Sequence, residues 1–285
     1  MQEIKQDVLN EEDLQRIKEL RLMDDDFFSE ALDGKEEAVE YILNTVLERD
    51  NIKVKSTKAQ VEYKSATKRS IRLDIQAEDT DGKLMDIEIQ RSDKGAGVKR
   101  ARFHSSMIDR TLLCKGDEFE DLVDTYVIFI TENDKFGAGI PLYHVERKIT
   151  ELDNVLFGDG AHILYVNGEY RNMEHPVGSL MHDFNCKEAK DMVNPLLAEE
   201  VRYLKETEGG RSQMCRLLEE MRNEAAAKAA AEAAVKAKAE GKAEGKAEGK
   251  ISTALNMLAR GRDSIEEIAE LTELPLEEVQ KLADK

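Results

Sequence analysis

The chain has 285 residues, enough for one large domain with additions or for two domains. Its 42 Lys and Arg against 60 Asp and Glu give a net charge of −18, which excludes a protein that coats nucleic acid over its whole surface but leaves room for a local basic patch. No apolar run approaches the ~20 residues of a membrane span. The acidic opening MQEIKQDVLNEEDLQ lacks the form of a signal peptide, and Cys114, Cys186 and Cys215 make neither a disulfide framework nor a zinc pattern. These features predict a cytoplasmic protein with no membrane partner.

In chain order, residues 36–49 place Val39, Ile42, Leu43, Val46 and Leu47 on one helical face. Residues 52–63 are rich in β-branched side chains and read as a strand, and 70–79 and 83–90 alternate and read as two more. A helix fits 97–114, introduced by Gly95 and Gly97. Tyr126 to Thr131 and His162 to Val166 read as buried strands, the second closed by Asn167-Gly168. After about residue 176 the texture is helical, and 211–240 is Ala-rich and charged.

The tetrapeptide Ala-Glu-Gly-Lys then repeats three times over 239–250. Each Gly costs about 1 kcal/mol against Ala in a helix, and Glu stacks over Glu and Lys over Lys at i,i+4. This stretch reads as a frayed helix or hinge. Short helices follow, with Asp263-Ser264 as a start and Pro275 at a first helical position. The expected organisation is an α/β domain over 1–210, a charged helix and hinge over 211–250, and a small helical module over 251–285. The run from Ile265 to Leu282 has helix-turn-helix spacing, yet 251–285 holds four basic and eight acidic residues. It reads as a packing module through which the chain forms a homo-oligomer, ahead of a DNA reader.

Charge is unevenly spread. Residues 53–72 hold seven basic and one acidic residue, 73–90 one basic and six acidic, and 91–115 seven basic and two acidic. An acidic stretch between two basic ones suits a carboxylate metal site with a cationic rim for a polyanion. On the two strands Ile71, Leu73, Ile75, Met85, Ile87 and Ile89 form an apolar face. Arg72, Asp74, Gln76, Asp86, Glu88 and Gln90 form the other. A three-residue loop, Thr80-Asp81-Gly82 with Gly left-handed, pairs Asp79 with Lys83 and so sets Asp74 opposite Glu88, Gln76 opposite Asp86 and Arg72 opposite Gln90. Opposed side chains have Cβ atoms about 5 Å apart. Two carboxylates that close call for a hard divalent cation, Mg2+ or Mn2+.

Asp74, followed after thirteen residues by Glu88-Ile89-Gln90 on the second strand of a hairpin, resembles the PD-(D/E)XK nuclease core. More narrowly it resembles the Rpn family of recombination-promoting nucleases, also described as PD-(D/E)XK nuclease family transposases, which typically carry Gln in place of the motif lysine. LRLMDDDFF, QRSDKGAGVKRARFHSSMID, YVIFITENDKFG and GDGAHILYVNG are further similar stretches, and the resemblance spans about residues 20–225. It implies a restriction-endonuclease-like core (helix, three-stranded hairpin sheet, helix, strand) with a C-terminal helical extension, and metal-dependent hydrolysis of DNA in recombination or mobile-element activity.

Carried over, Asp74 and Glu88 become metal ligands, with the Ile89 carbonyl as a further one. Gln90 takes the place of the catalytic lysine. A helix glutamate joins the metal, Glu40 first and Glu37 second. Arg91, Lys99, Arg100 and Arg102 hold the DNA backbone. Glutamine carries no charge to stabilise a developing anion, so either one of these cations replaces the lysine or the chain is a catalytically weak or inactive DNA-binding protein of the same fold. His104 reads as structural ahead of a phosphate contact. His144, His162, His175 and His182 show no metal-ligand spacing.

Overall fold

The computed structural model describes residues 11–63, 70–91 and 95–284. The opening ten residues, Lys64, Lys68 and Arg69 of the first basic stretch and Lys94 of the second lie outside the described residues. The chain forms two compact units, residues 1–216 and 217–285.

In the first unit, helices α1 (Glu11–Glu19), α2 (Asp25–Leu32) and α3 (Glu36–Val46) precede strands β1 (Val54–Tyr63), β2 (Ile71–Asp79) and β3 (Leu84–Gln90). Helix α4 (Val98–Leu112) leads to β4 (Thr125–Thr131), and β5 (Leu142–Val145), β6 (Lys148–Ile149), β7 (Val155–Leu156) and β8 (Ala161–Asn167) follow. Helices α5 (Pro176–Asn185), α6 (Pro195–Glu206) and the start of α7 (Glu208–Arg260) complete the unit. Six strands form one sheet in the order β1-β2-β3-β4-β8-β5, and β6 pairs with β7 apart from it. This mixed α/β architecture is consistent with a PD-(D/E)XK nuclease fold.

Strands β3, β4 and β8 run parallel at the centre. The continuous apolar run of β4 is the reason, because a strand buried on both faces needs no polar side, and all seven of its residues are buried. A parallel pair needs a crossover, and α4 supplies it between β3 and β4. On β2 buried residues alternate with partly buried ones, and β1 and β2 pair antiparallel. Helices α2 and α3 pack against them through Phe27, Phe28, Val39, Ile42 and Leu43, all buried.

The hairpin has the expected register. Asp79 N–H donates to Lys83 O at 3.1 Å, Gly82 has φ +83°, and Gln76 lies opposite Asp86 and Ile75 opposite Ile87. The paired residues end there, so neither Asp74 and Glu88 nor Arg72 and Gln90 pair across the ladder.

In the second unit, Ala254, Ile268 and Val279 are buried together, with Met257, Leu258, Ile265, Leu274 and Leu282 around them. Helix α8 (Ile265–Thr272) starts at Ser264, whose hydroxyl accepts from Glu267 N–H while Glu267 reaches back to Ser264 N–H. Helix α9 (Leu276–Ala283) has Pro275 at its N-cap, one position ahead of the expected one. The stretch 239–250, expected as a frayed helix or hinge, is helix, part of the unbroken 53 residues of α7. Strong helix formers flank the repeat on both sides, so its twelve residues extend an existing helix without nucleating one, and three glycines at about 1 kcal/mol each do not break it. Among the described residues, no helix is long and apolar enough to cross a membrane.

The two kinds of glycine should respond oppositely to substitution. A Cβ at Gly82 or at Gly241 meets nothing within 4 Å, so only backbone preference acts. Gly82→Ala forces alanine to positive φ and should lower the unfolding free energy by about 1 kcal/mol. Gly241→Ala should raise it by up to about 1 kcal/mol. Urea unfolding of the two variants checks both signs.

Candidate active site

Where the β2–β3 ladder stops, the carboxylates take over its hydrogen bonds. Asp74 N–H donates to Glu88 Oε1 at 3.1 Å, and Ile89 N–H donates to Asp74 Oδ2 at 2.9 Å. Each acid thus satisfies a backbone amide beyond the end of the ladder, which fixes both side chains. Asp86 and Glu88 are fully buried there.

Helix α4 closes over this face. Arg100 and His104 lie one turn apart on it, and His104 is buried with its ring 5.9 Å from that of Phe129. Arg100 reaches three acceptors: Nη2 donates to Glu88 Oε2 at 2.9 Å, Nη1 to Gln90 Oε1 at 3.5 Å, and Nε to His104 Nε2 at 3.2 Å. A guanidinium only donates, so Nε2 of His104 is the acceptor and its proton sits on Nδ1. That Nδ1 lies 3.1 Å from Asp86 Oδ2 and 3.7 Å from Glu88 Oε1.

Burial sets the electrostatics. It pushes the Asp74 carboxyl up to about 8, aided by Glu88 and Asp25 and opposed by the Ile89 N–H and Arg100. Burial and the neighbouring Asp86 likewise push Glu88 up to about 8, against Arg100. Asp86 is raised well above the usual carboxylate range by burial and by Asp74.

Among the expected site residues, Asp74, Glu88, Gln90 and Arg100 come together. Glu40 does not join them. Its Oε1 lies 2.6 Å from Lys53 Nζ and its Oε2 accepts from Val54 N–H at 3.2 Å. Val54 stands opposite Asp79, five residues along β2 from Asp74, or roughly 16 Å at the strand rise. Glu37 and Glu40 line a separate cavity of about 800 Å3. The helix acid that Asp74 feels is Asp25, at the start of α2, and α2 also touches β2 through Ser29 Oγ and Asp74 O at 3.3 Å.

Arg91 is drawn to Asp24 Oδ1 at 2.6 Å and Glu132 Oε2 at 3.2 Å, and Glu132 also takes Arg21 Nη2 at 2.9 Å. Lys99 and Arg102 are exposed on α4, whereas Met107 is buried on the side of His104. The sequence alone assigns no role to Asp86 and reads His104 as structural ahead of a phosphate contact. The signal for both was present, in the two-residue spacing from Asp86 to Glu88 and the four-residue spacing from Arg100 to His104.

The donor set fits a hard divalent cation. Ligand atoms of Asp86, Glu88 and His104 lie within 4.8 Å of one another; with both His104 nitrogens engaged by Arg100 and Asp86, the carboxylate oxygens are the donors, and buried Asp86 Oδ1 has no hydrogen-bond partner. Three carboxylates with one arginine leave negative charge uncompensated whenever all three ionise. His182, Asp183 and Cys186 form a second close group. There, however, Asp183 serves structure, accepting Val193 N–H at 2.7 Å and Asn194 N–H at 2.8 Å, and burial pushes the Cys186 thiol up to about 11.

A family model described as PD-(D/E)XK nuclease family transposase matches residues 25–244. The chain belongs to this family. The match takes in α2, the whole hairpin and α4, so every residue of the carboxylate cluster described above falls inside it, and residues 1–24 and 245–285 fall outside. No curated protein and no solved structure matches the chain.

The raised carboxyls make stability depend on pH. With Asp74 and Glu88 at about 8 when folded and near 4 when unfolded, the folded protein holds more protons between these values. Stability in EDTA is therefore full below about pH 4 and should fall as pH rises to about 8. Glu88→Gln should flatten that slope. Thermal melts from pH 5 to 8 measure it.

Proposed function

We propose that the chain is a divalent-metal-dependent DNA endonuclease, with a role in recombination or mobile-element activity. The observation that carries this reading is the carboxylate cluster of half-buried Asp74 with buried Asp86 and Glu88, with an orphan oxygen on Asp86, in a member of a nuclease family. Hydrolysis adds water across one P–O bond of the DNA backbone and leaves a phosphate monoester and an alcohol. Asp74 and Glu88 hold the Mg2+ or Mn2+, with Asp86 as the further acid in place of Glu40. When bound, the cation polarises the scissile phosphate and lowers the pKa of water.

The chain's own groups do the rest. The reciprocal bonds of Asp74 and Glu88 to the strand amides hold both acids in place before any ligand arrives. Gln90 donates and accepts hydrogen bonds, which suits it to orient the attacking water. Lys99 and Arg102, exposed on α4, hold the DNA backbone without reading bases. Arg91, tied to Asp24 and Glu132, is placed to exchange those carboxylates for a phosphate.

A catalytically inactive DNA-binding protein is the second reading, and Gln90 favours it. Nicking of supercoiled plasmid in Mg2+ or Mn2+ separates the two. The endonuclease should nick, EDTA should stop it, and Asp74→Asn should lower the rate at least roughly 100-fold with the melting temperature in EDTA unchanged or raised. DNA binding without nicking under either metal would favour the second reading.

The basic rim gives a separate test. Lys99→Ala with Arg102→Ala should weaken DNA binding about equally across sequences. It should also lower the slope of log affinity against log salt by up to about 2. Fluorescence anisotropy at several salt concentrations on two unrelated duplexes measures both effects.

A further inference from the structure

Gln90 leaves the carboxylate cluster without the positive charge that the lysine of the parent motif supplies, and the structure places another cation against it. We propose that Arg100 is the catalytic cation of this site, standing in for that lysine, and that His104, backed by Asp86, is the residue that positions it. The inference rests on the nuclease reading above.

The geometry is specific to arginine. One planar group meets Glu88, Gln90 and His104 in three directions at once, which a lysine ammonium on a flexible stem does not do with a fixed orientation. Glu88 is fully buried while the Arg100 side chain is 39% exposed, so the guanidinium stands between the acids and the solvent from which a phosphodiester approaches. Its contact with Gln90 puts the charge beside the position that lacks it.

His104 explains why the guanidinium points this way. It is buried, packed near Phe129, and holds Nε of Arg100 from behind. Its other nitrogen faces Asp86, so the chain from Asp86 through His104 to Arg100 fixes the ring, its tautomer and the guanidinium plane together. A carboxylate and a histidine buried only for packing would not need to end on a solvent-facing cation.

The test uses the full chain, a duplex DNA substrate and Mn2+. Arg100→Ala should lower kcat about 100-fold with a smaller change in KM. Gln90→Lys placed in that background should recover at least about tenfold. His104→Ala should lower kcat in the otherwise natural chain but cost little more once Arg100 is alanine, because its effect runs through Arg100. Mn2+ binding without DNA, read by electron paramagnetic resonance, should be as tight in Arg100→Ala or tighter, since a like charge has been removed.

An effect of Arg100→Ala on KM alone, with no recovery from Gln90→Lys, would reduce Arg100 to a DNA tether and overturn the proposal. Weaker Mn2+ binding would do the same by marking Arg100 as a support for Glu88. Full additivity of His104→Ala would remove the positioning role. Should Arg100→Ala fail to fold by circular dichroism, Arg100→Lys decides: it keeps the charge but not the fork and should lose about tenfold in kcat, and an unchanged kcat overturns the proposal. A natural chain that cleaves while Arg100→Ala cleaves equally well sinks this inference alone. A natural chain that never cleaves sinks the nuclease reading and this inference with it.

Discussion

Like-charged carboxylates held together where the β2–β3 ladder ends are the constraint around which the first unit is arranged. Removing a charge from water costs several kcal/mol unless it is paired or protonated. The hairpin accepts that cost at Asp74, Asp86 and Glu88 together. It limits the penalty in three ways: the acids take protons readily, two of them accept strand amides, and one arginine leans against them. None of these removes the excess negative charge at alkaline pH, which a divalent cation would offset.

The surrounding fold brings these groups together with short connections. Strand β3 carries Asp86, Glu88 and Gln90, and the next element, α4, carries Arg100 and His104. The crossover that parallel pairing of β3 and β4 demands is therefore also the element that delivers the counter-charge. The buried apolar run of β4 anchors the arrangement, because Phe129 sits opposite Glu88 in the ladder and against the His104 ring. Helix α2 closes the other side through Ser29 and Asp25.

Sequence reasoning reached what local rules determine. Loop length and a glycine gave the hairpin register, and period-two alternation put Asp86 and Glu88 on one face of β3; along β2 it did not hold, because Ile71 and Leu73 pack with Val127 and Phe129 on the α4 side. It failed where the answer depends on how elements lie against each other. Glu40 sits at the edge of an apolar helical face, yet α3 sets it beside the start of β1 rather than near Asp74. Asp86 was visible on the acidic face, but its orphan oxygen appears only once α4 covers it. His104 looked ordinary because a histidine in a basic helix says nothing of the carboxylate beneath it. The repeat at 239–250 misled for a different reason: residue propensities summed in isolation ignore the helix already present on both sides.

The loop Thr80-Asp81-Gly82 touches none of the chemistry, yet it governs all of it. A single inserted or deleted residue there would shift β3 by one position and exchange its faces. Both faces of β3 are covered, so the exchange would drive Asp86 and Glu88 into the apolar layer and turn Ile87 and Ile89 towards Arg100 and His104. Substitutions at Thr80 or Asp81 alter only local strain, whereas a change in loop length would cost the fold and the carboxylate cluster together.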